Sequence, residues 1–294
     1  MMLLPGAAKG AATPRRLRVG YFEDLTTRVL IHGIDKGLSG AGVRRGTVDE
    51  VRAWIEQGDI DVALLPAWDF IQVDRLEMIP GACLSVTGAG NIMLLCSKVL
   101  PTEIRSVLVD HEGFGARSLA HIMLPSQTGV YPEFHRAEAP LNPSQFNFAE
   151  APHDAFLLVG DNALRIKRSA FPWVWDLGTA WKNHTQSPMV VHVWCTVKGT
   201  FLKGLDNELA TLAKSNVKGI GEIAAREGER LGANPEVLAK LLAGVFRYEG
   251  GPAQFSALRL YLHELQKARL LAKPRQFTIY EERLSTNAVR LPRF

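Results

Sequence analysis

Apolar and polar positions along the chain follow two periods, one typical of buried strands and one typical of amphipathic helices. Residues 17–22, LRVGYF, predict a strand. In residues 46–68, GTVDEVRAWIEQGDIDVALLPAW, apolar side chains first repeat at helical spacing and then run almost without interruption. Thr47 begins this helix and Glu50 follows in a capping box, while IDVALLP is typical of a strand buried on both faces. The strand–helix–strand order indicates an α/β fold.

Further along, the pattern indicates a chain that leaves one sheet and later returns to it. Strands are predicted at about 78–86, 91–97 and 105–109, and PMVVHVWCTV at 188–197 predicts a long buried strand. The remainder, 203–294, has helical spacing punctuated by glycine, asparagine and proline. A two-lobed protein with two crossover strands and a cleft between its lobes satisfies this arrangement.

The composition is that of an ordinary globular protein and narrows the functions to consider. Of the 294 residues, 47% are hydrophobic and 22% are charged, which is enough apolar material for a sizeable core. The net charge of +4 is not gathered into a basic stripe, so we expect no nucleic acid as a partner. No apolar run approaches the ~20 residues of a membrane helix, so we expect no membrane association.

Cysteine usage and the first residues bear on the compartment. Cys83, Cys96 and Cys195 lie in apolar, strand-like runs without a CxxC pair, which is typical of buried thiols in a reducing cytosol. Residues 1–16 begin with a short apolar run broken by proline and glycine, and their positive charges follow that run. We therefore predict a flexible leader rather than a signal peptide, and a cytoplasmic protein.

Standard catalytic motifs are missing from the sequence, since it has no P-loop, GxSxG, HExxH or full dinucleotide fingerprint. The eight histidines are scattered without metal-ligand spacing, so we predict no metal. GFGARS at 113–118 is a glycine-rich turn that either presents backbone N–H groups to an anion or only caps a helix. Asp161, in VGDNAL, follows a strand and either caps the next helix or faces a ligand.

A polar loop joins the first strand to the first helix. It contains Glu23, Asp24, Thr26, Thr27 and Arg28. Thr26 and Thr27 are good N-cap residues for the apolar pattern that follows. The loop is therefore either part of an active site or a well-capped helix start that faces the cleft.

Four further stretches occur in a fixed order along the chain: DVALLPAWDF, PGACLSVTGAGNIMLLCSK, DAFLLVGDNAL and DLGTAWKNHTQSPMVVHVW. Together they resemble the chorismate dehydratase family of the futalosine route to menaquinone, over about residues 17–271. The resemblance implies an α/β fold of the type II periplasmic-binding-protein kind, with two lobes and two crossover strands. Residues 17–87 and 195–294 would form the first lobe and residues 88–194 the second.

The same resemblance implies a reaction. Chorismate would lose water and become aromatic, giving 3-[(1-carboxyvinyl)oxy]benzoate without a cofactor. Such an elimination needs a held dianion, a removable ring proton and a stabilised leaving hydroxyl. We expect chorismate as the small-molecule partner and a monomer or homodimer as the assembly.

The resemblance also places candidate site residues. Thr26 falls where the family has a catalytic asparagine, and Ile92, with Asn91 beside it, falls where the family has a catalytic serine. We therefore predict Thr26 and Asn91 as catalytic, with Arg117 and the 115–118 turn holding a carboxylate. The residues predicted to bind substrate are Thr27, Gly115, Ala116, Arg117, Ser118, Asp161 and Thr185.

The family's scaffold segments match better than its ligand-facing segments. Glu23 and Asp24 bring negative charge toward the site of a dianion unless Arg28 or another base pairs with them. Three hypotheses follow: a chorismate dehydratase with an altered site, a paralogue that binds or transforms another small anionic ligand, and a non-catalytic binding module. We favour the first, since an exported solute binder requires a signal peptide.

Overall fold

The computed structural model describes residues 16–38 and 40–281, which contain twelve strands and eleven α-helices. The predicted leader, 1–16, lies outside the described residues except for Arg16. The strands are β1 (Leu17–Tyr21), β2 (Ala41–Arg45), β3 (Val62–Pro66), β4 (Leu76–Val86), β5 (Met93–Ser97), β6 (Ser106–Val109), β7 (Glu133–Arg136), β8 (Ala155–Val159), β9 (Trp173–Asp176), β10 (Met189–Val197), β11 (Phe246–Gly250) and β12 (Thr278–Ile279). The helices are α1 (Arg28–Ile31), α2 (Ile34–Gly37), α3 (Val48–Gln57), α4 (Ala67–Gln72), α5 (Phe114–Thr128), α6 (Gly160–Arg165), α7 (Leu177–Thr185), α8 (Leu205–Lys218), α9 (Ile220–Leu231), α10 (Pro235–Gly244) and α11 (Pro252–Lys267).

The larger sheet forms the first lobe, with strand order β11-β4-β10-β3-β1-β2 and β12 added beside β4. Strands β1, β2 and β3 are parallel, whereas β10 runs antiparallel to both β3 and β4. The first four residues of β3 are fully buried, as the continuous apolar run predicts. The smaller sheet has the order β7-β6-β8-β5-β9 and forms the second lobe.

Local sequence determines several of these elements directly. The hydroxyl of Thr47 accepts from the N–H of Glu50 at 3.2 Å, and the Glu50 carboxylate accepts from the N–H of Thr47 at 2.8 Å. The predicted capping box is therefore present at the start of α3. Its apolar stripe, which includes Val51, Trp54 and Ile55, packs on the first sheet.

One main apolar core extends through both lobes, and the second lobe adds a smaller cluster of its own. The second lobe has a cluster of phenylalanines whose ring centroids lie 4.8–6.0 Å apart in edge-on contacts, namely Phe146, Phe148, Phe156 and Phe171. The C-terminal helices α8 and α11 contribute buried side chains to the main core beside β4 and β10. The predicted helix-rich C-terminal part is therefore confirmed.

The chain passes between the lobes twice, after β4 and before β10. The first crossing lies against the start of α7, where a β-carbon on Gly178 would lie 2.5 Å from the carbonyl oxygen of Gly88. Only glycine permits that approach. All of β10 pairs in the first sheet, so residues 189–194 lie with the first lobe and the predicted boundary at 194 falls too late in the sequence.

Candidate active site

The cleft between the lobes is a cavity of about 80 Å³ that is partly open to solvent. Both lobes contribute to its wall. The first lobe provides Phe22, Asp24, Thr26, Val48, Pro66, Ala67, Trp68, Met189, Val190, Val191, His192 and Tyr261, and the second provides Ile92, Met93, Glu112, Gly115, Ala116, Val159 and Gly160.

Most of this wall is apolar, with few polar side chains. Aromatic and aliphatic groups such as Trp68, Phe22 and Met93 offer flat surfaces on which a ring can pack. The ionisable side chains in the wall are Asp24, Glu112, His192 and Tyr261. Among the described residues, no lysine or arginine lines the cleft.

A chain of three side chains crosses the floor of the cleft. The hydroxyl of Thr26 donates a short hydrogen bond to Oδ1 of Asp24 and lies 2.7 Å from Nε2 of His192. The Thr26 and His192 side chains are buried, and the ring of Phe22 packs edge-on against the imidazole at 5.1 Å between centroids. Thr26 therefore lies at the centre of a polar network rather than at the edge of one.

The network sits where charge is poorly solvated. The pKa of Asp24 is raised to about 6, first by burial and then by the nearby carboxylate of Asp161, which together outweigh the lowering effect of hydrogen bonds from Thr26 and Thr27. Burial also lowers the pKa of His192 to about 3. At neutral pH the imidazole is therefore uncharged, and Asp24 can be protonated or ionised within an ordinary pH range.

Glu112 lies at the rim of the cleft on the second lobe. The residue is exposed, but partial desolvation of its carboxyl group raises its pKa, with Asp24, Asp49 and Asp110 adding to the effect. The backbone N–H of Val48 acts in the opposite direction. Two carboxyl groups with raised pKa values therefore face the same cleft from opposite lobes.

The start of α5 forms the opposing wall. The N–H of Gly113 donates to the Asp110 carbonyl and that of Arg117 donates to the Gly113 carbonyl, both at 2.8 Å. The intervening N–H groups of the first helical turn have no carbonyl four residues earlier to receive them within the helix. Because Gly115 and Ala116 line the cleft, their backbone is placed to meet an anionic group.

Ser118 lies on the inner side of this turn but does not line the cleft. Its hydroxyl donates to the Gly115 carbonyl at 2.6 Å and lies 2.5 Å from the hydroxyl of Tyr261. Both side chains are buried. The structure therefore uses Ser118 to fasten α5 to α11, and the prediction that it binds substrate gives way to a structural role.

Three other predicted residues lie away from the cleft wall. Asn91 has a left-handed backbone (φ 56°) and its side-chain oxygen accepts from Arg168 at 2.5 Å. Arg117 is exposed on the outer side of α5. The hydroxyl of Thr185 donates to the Trp181 carbonyl at 2.8 Å. Local hydrogen bonding and helix direction thus account for these side chains without a ligand.

The loop after β1 also differs from the prediction. Thr27 precedes α1, but its side chain makes no capping bond to the helix. Its hydroxyl instead donates back to the Phe22 carbonyl at 3.1 Å, and its N–H donates to Asp24 Oδ1 at 2.9 Å. Thr27 is fully buried and does not line the cleft, and its hydrogen bonds shape the loop rather than cap the helix.

Asp161 joins the lobes. One carboxylate oxygen accepts from the N–H of Leu25 at 2.9 Å, and the other accepts from Arg230 at 2.5 Å. Arg230 also pairs with Glu227 on the same helix at 2.6 Å. Asp161 therefore holds the opening loop of the first lobe against the second lobe, at the edge of the cleft rather than in its wall.

The two acidic residues of the opening loop have different orientations. Glu23 turns outward, where its carboxylate pairs with Arg28 at 3.1 Å and Arg45 at 2.9 Å. Asp24 turns into the cleft. The pairing that the sequence analysis required is thus present for Glu23, whereas Asp24 remains in the cleft with its hydrogen bonds from Thr26 and Thr27.

Sequence reasoning did not assign site roles to His192, Glu112, Tyr261 and Asp24. His192 is the one polar interruption of the apolar run PMVVHVWC, and a single histidine in such a run is a signal for a buried polar contact. Glu112 directly precedes the glycine-rich turn. Tyr261 carries no such signal, since its place in a helical apolar pattern is that of a core residue.

Comparison with solved structures shows that the fold is similar to that of periplasmic binding proteins. The chain is similar to AF1704 from Archaeoglobus fulgidus (TM-score 0.62, 13% identity, covering 87% of this chain and 98% of that one). It is also similar to the periplasmic aliphatic sulphonate binding protein SsuA from Escherichia coli (TM-score 0.59, 14% identity, 90% and 96% covered). An ABC transporter from Parabacteroides distasonis gives a TM-score of 0.64 at 12% identity, with 91% and 99% covered. These identities show the fold alone.

The sequence itself defines the family. Residues 17–267 match the family described as menaquinone biosynthesis, and the chain belongs to that family. The resemblance to chorismate dehydratases is thereby confirmed at the level of the family. None of the curated proteins matches the sequence. No helix among residues 16–38 and 40–281 has the length and apolar character needed to span a membrane.

Proposed function

We propose that the protein dehydrates chorismate to 3-[(1-carboxyvinyl)oxy]benzoate, without a cofactor, in menaquinone biosynthesis by the futalosine route. Membership of the menaquinone biosynthesis family supports this proposal. The observation that carries it is an interlobe cleft in which apolar walls face an acid–base network and the first turn of a long helix. These are the groups that an elimination from a ring acid requires.

In this proposal the two lobes have separate tasks. The diene ring packs against the apolar wall that includes Trp68 and Phe22. A carboxylate lies against the N–H groups of Gly115 and Ala116, where the helix dipole favours negative charge. The leaving hydroxyl lies toward Asp24 and Thr26. Asn91 no longer has a catalytic role here, because its side chain is held by Arg168 outside the cleft wall.

The test is to mix purified protein with chorismate and to follow the enolpyruvyl benzoate product by mass-resolved chromatography. We expect product above a no-protein control and above a sample of the same protein unfolded by heat. Asn91→Ala should retain turnover and Thr26→Ala should lose most of it. A folded protein that forms no product would exclude the proposed reaction.

One observation favours a second candidate, a paralogue that acts on or binds another small acid. The cleft wall contains two carboxyl groups and no lysine or arginine among the described residues, which is an unfavourable setting for a dianion. A ligand with one carboxylate and an apolar ring fits that wall better. Thermal-shift measurements with benzoate, 3-hydroxybenzoate and chorismate at equal concentration would separate the candidates, since the paralogue predicts larger stabilisation by the monoanions.

A cytoplasmic location and a monomeric or homodimeric state belong to this proposal as well. Light scattering on the purified protein gives the oligomeric state. Fractionation of the source cells gives the compartment.

A further inference from the structure

The carboxyl group of Asp24 has two oxygens in different surroundings. Oδ1 accepts the N–H of Thr27 at 2.9 Å and the hydroxyl of Thr26. Oδ2 faces Gly160 on the second lobe, where an added β-carbon would lie 3.0 Å away. Because residue 160 is glycine, the space beside Oδ2 stays open to the cleft. An oxygen that already accepts two hydrogen bonds is a poor place for the acidic proton, so the proton of neutral Asp24 belongs on Oδ2.

His192 fixes the direction of the hydrogen bonds. Its Nδ1 is buried and has no partner among the described residues. A buried N–H without an acceptor is costlier than a buried lone pair, so the proton of the neutral ring belongs on Nε2. Nε2–H then donates to the Thr26 oxygen, and the Thr26 hydroxyl donates to Asp24. The chain runs one way, from His192 through Thr26 to Asp24.

The charged and titratable groups around Asp24 lie on several neighbouring elements of both lobes. Asp161 lies on α6, Glu112 precedes α5, and neutral His192 lies on β10. The charge of Asp161 is paired with Arg230 of α9. Burial and the carboxylate of Asp161 raise the pKa of Asp24 to about 6. Both protonation states are thus reachable near neutral pH, which suits a group that first gives and then regains a proton.

We propose that Asp24 is the acid–base group of the cleft, with its Oδ2 facing the ligand and with Thr26 and His192 as positioning residues. This assignment rests on the proposed function. The Oδ2 proton passes to the hydroxyl of chorismate as the carbon–oxygen bond breaks, and water leaves. The ring carbon that bears the enolpyruvyl ether loses its proton to the resulting carboxylate. The C–H electron pair completes the aromatic ring, and Asp24 is again protonated.

One side chain suffices for both transfers, since the hydrogen and the hydroxyl that leave chorismate lie on the same face of its ring. The proton count closes without another acid or base. No oxidant, reductant or further reactant is needed.

The experiment compares wild type, Asp24→Asn and Asp59→Asn over pH 5 to 8.5, with kcat and KM measured for chorismate. Asparagine keeps an oxygen that accepts from Thr26 and Thr27 but has no acidic proton. We expect Asp24→Asn to lower kcat by at least about a hundredfold, with KM changed only a few-fold. Asp59 is exposed on the turn after α3 and does not line the cleft, so Asp59→Asn is the isosteric control and should match wild type.

A pH profile separates acid–base chemistry from a structural role. For wild type, kcat/KM should fall about tenfold per pH unit above the pKa of Asp24, since the acid must begin protonated. The residual rate of Asp24→Asn should lack that step. Circular dichroism and thermal unfolding of each variant show whether it is folded.

The possible outcomes are distinct. Wild-type turnover together with an Asp24→Asn rate within tenfold of wild type would overturn the assignment of Asp24 and leave the proposed function standing. A folded wild type that does not convert chorismate would overturn the proposed function and the assignment with it.

Discussion

The two segments that face each other across the cleft have the same order of elements but different chemistry. Each follows a strand, turns, and enters a helix: β1 leads into α1, and β6 leads into α5. The opening loop of the first lobe presents side chains, Asp24 and Thr26. The turn of the second lobe presents backbone at Gly115 and Ala116, while Arg117 points outward and Ser118 binds Tyr261.

Helix length explains part of this difference. α1 has four residues, whereas α5 has fifteen. A single turn has little dipole and few aligned N–H groups, so the first lobe must act through side chains. A long helix that begins with glycine lets a ligand approach its backbone. Under the proposed function, the first lobe supplies the proton chemistry and the second supplies the anion site.

The largest expected effect comes from a change to the side chains that the first lobe presents to the cleft. Thr26→Val keeps the shape but removes the hydroxyl between Asp24 and His192. Two buried polar groups then lose a partner, so we expect unfolding to become easier by about 1–3 kcal/mol. We expect kcat to fall about a hundredfold as Asp24 loses its orientation. Steady-state kinetics and denaturant unfolding measure the two effects.

Thr185→Val is the matched comparison for that variant. It also removes a threonine hydroxyl, one that bonds only within and next to its own helix end. We expect a modest loss of stability and wild-type kinetics. A kinetic effect in Thr185→Val equal to that of Thr26→Val would contradict the placement of Thr185 outside the site.

The next effect is a gain in stability in Asp24→Asn, opposite in sign to the loss expected for Thr26→Val. The pKa of Asp24 is raised from 3.8 to about 6 in the folded protein, so its ionisation disfavours folding. The penalty is absent below about pH 3.8, grows as the pH rises toward 6, and is constant above that. Asp24→Asn should therefore be more stable than wild type by on the order of 2–3 kcal/mol at pH 8.

Urea unfolding at several pH values checks this prediction. The gain should shrink on acidification and vanish near pH 3.8, whereas the difference between Asp59→Asn and wild type should stay flat. A gain independent of pH would mean that packing, rather than the charge of Asp24, limits stability. An enzyme made more stable by loss of its acid–base group is the expected trade-off at an active site.

A smaller effect tests the backbone N–H groups that the second lobe presents at the start of α5. A β-carbon on Gly115 would lie 3.4 Å from Cβ of Trp68, so Gly115→Val narrows the space in front of the α5 N–H groups. We expect KM for chorismate to rise about tenfold, equivalent to about 1.4 kcal/mol of binding, with kcat nearly unchanged. Gly221→Val, on an exposed position of α9 where an added β-carbon meets nothing within 4 Å and the backbone has no positive φ, controls for the change in glycine content. A fall in kcat alone would assign this turn to chemistry instead.

The smallest effect concerns the contact between the lobes. Arg230→Ala removes the ion pair with Asp161, in which the arginine side chain is 35% exposed. Such a pair contributes about 1 kcal/mol or less, and Asp161 keeps its bond from Leu25. We expect KM to rise a few-fold and the difference from wild type to disappear at high salt. Small-angle scattering should show a slightly larger radius of gyration; no change in either measurement would mean that the pair does not hold the lobes together.

The sequence was sufficient wherever a feature depended on residues close together in the chain. The capping box of α3, the buried strand β3 and the C-terminal helices were all predicted from spacing and composition. These features are local, because a helix or strand is selected by its own apolar period and its own caps. The resemblance to a family also predicted the division of the chain into two lobes.

The site was decided by contacts between distant residues, and only the tertiary structure supplied them. His192 meets Thr26 across 166 positions of sequence, and Asp161 meets the opening loop across 136. The sequence made Ser118 and Asn91 reasonable candidates for the site. In the structure, their side chains instead hydrogen-bond to Tyr261 and Arg168. A hydroxyl or amide has the same local sequence whether a ligand or another side chain satisfies it, and burial decides which partner it finds.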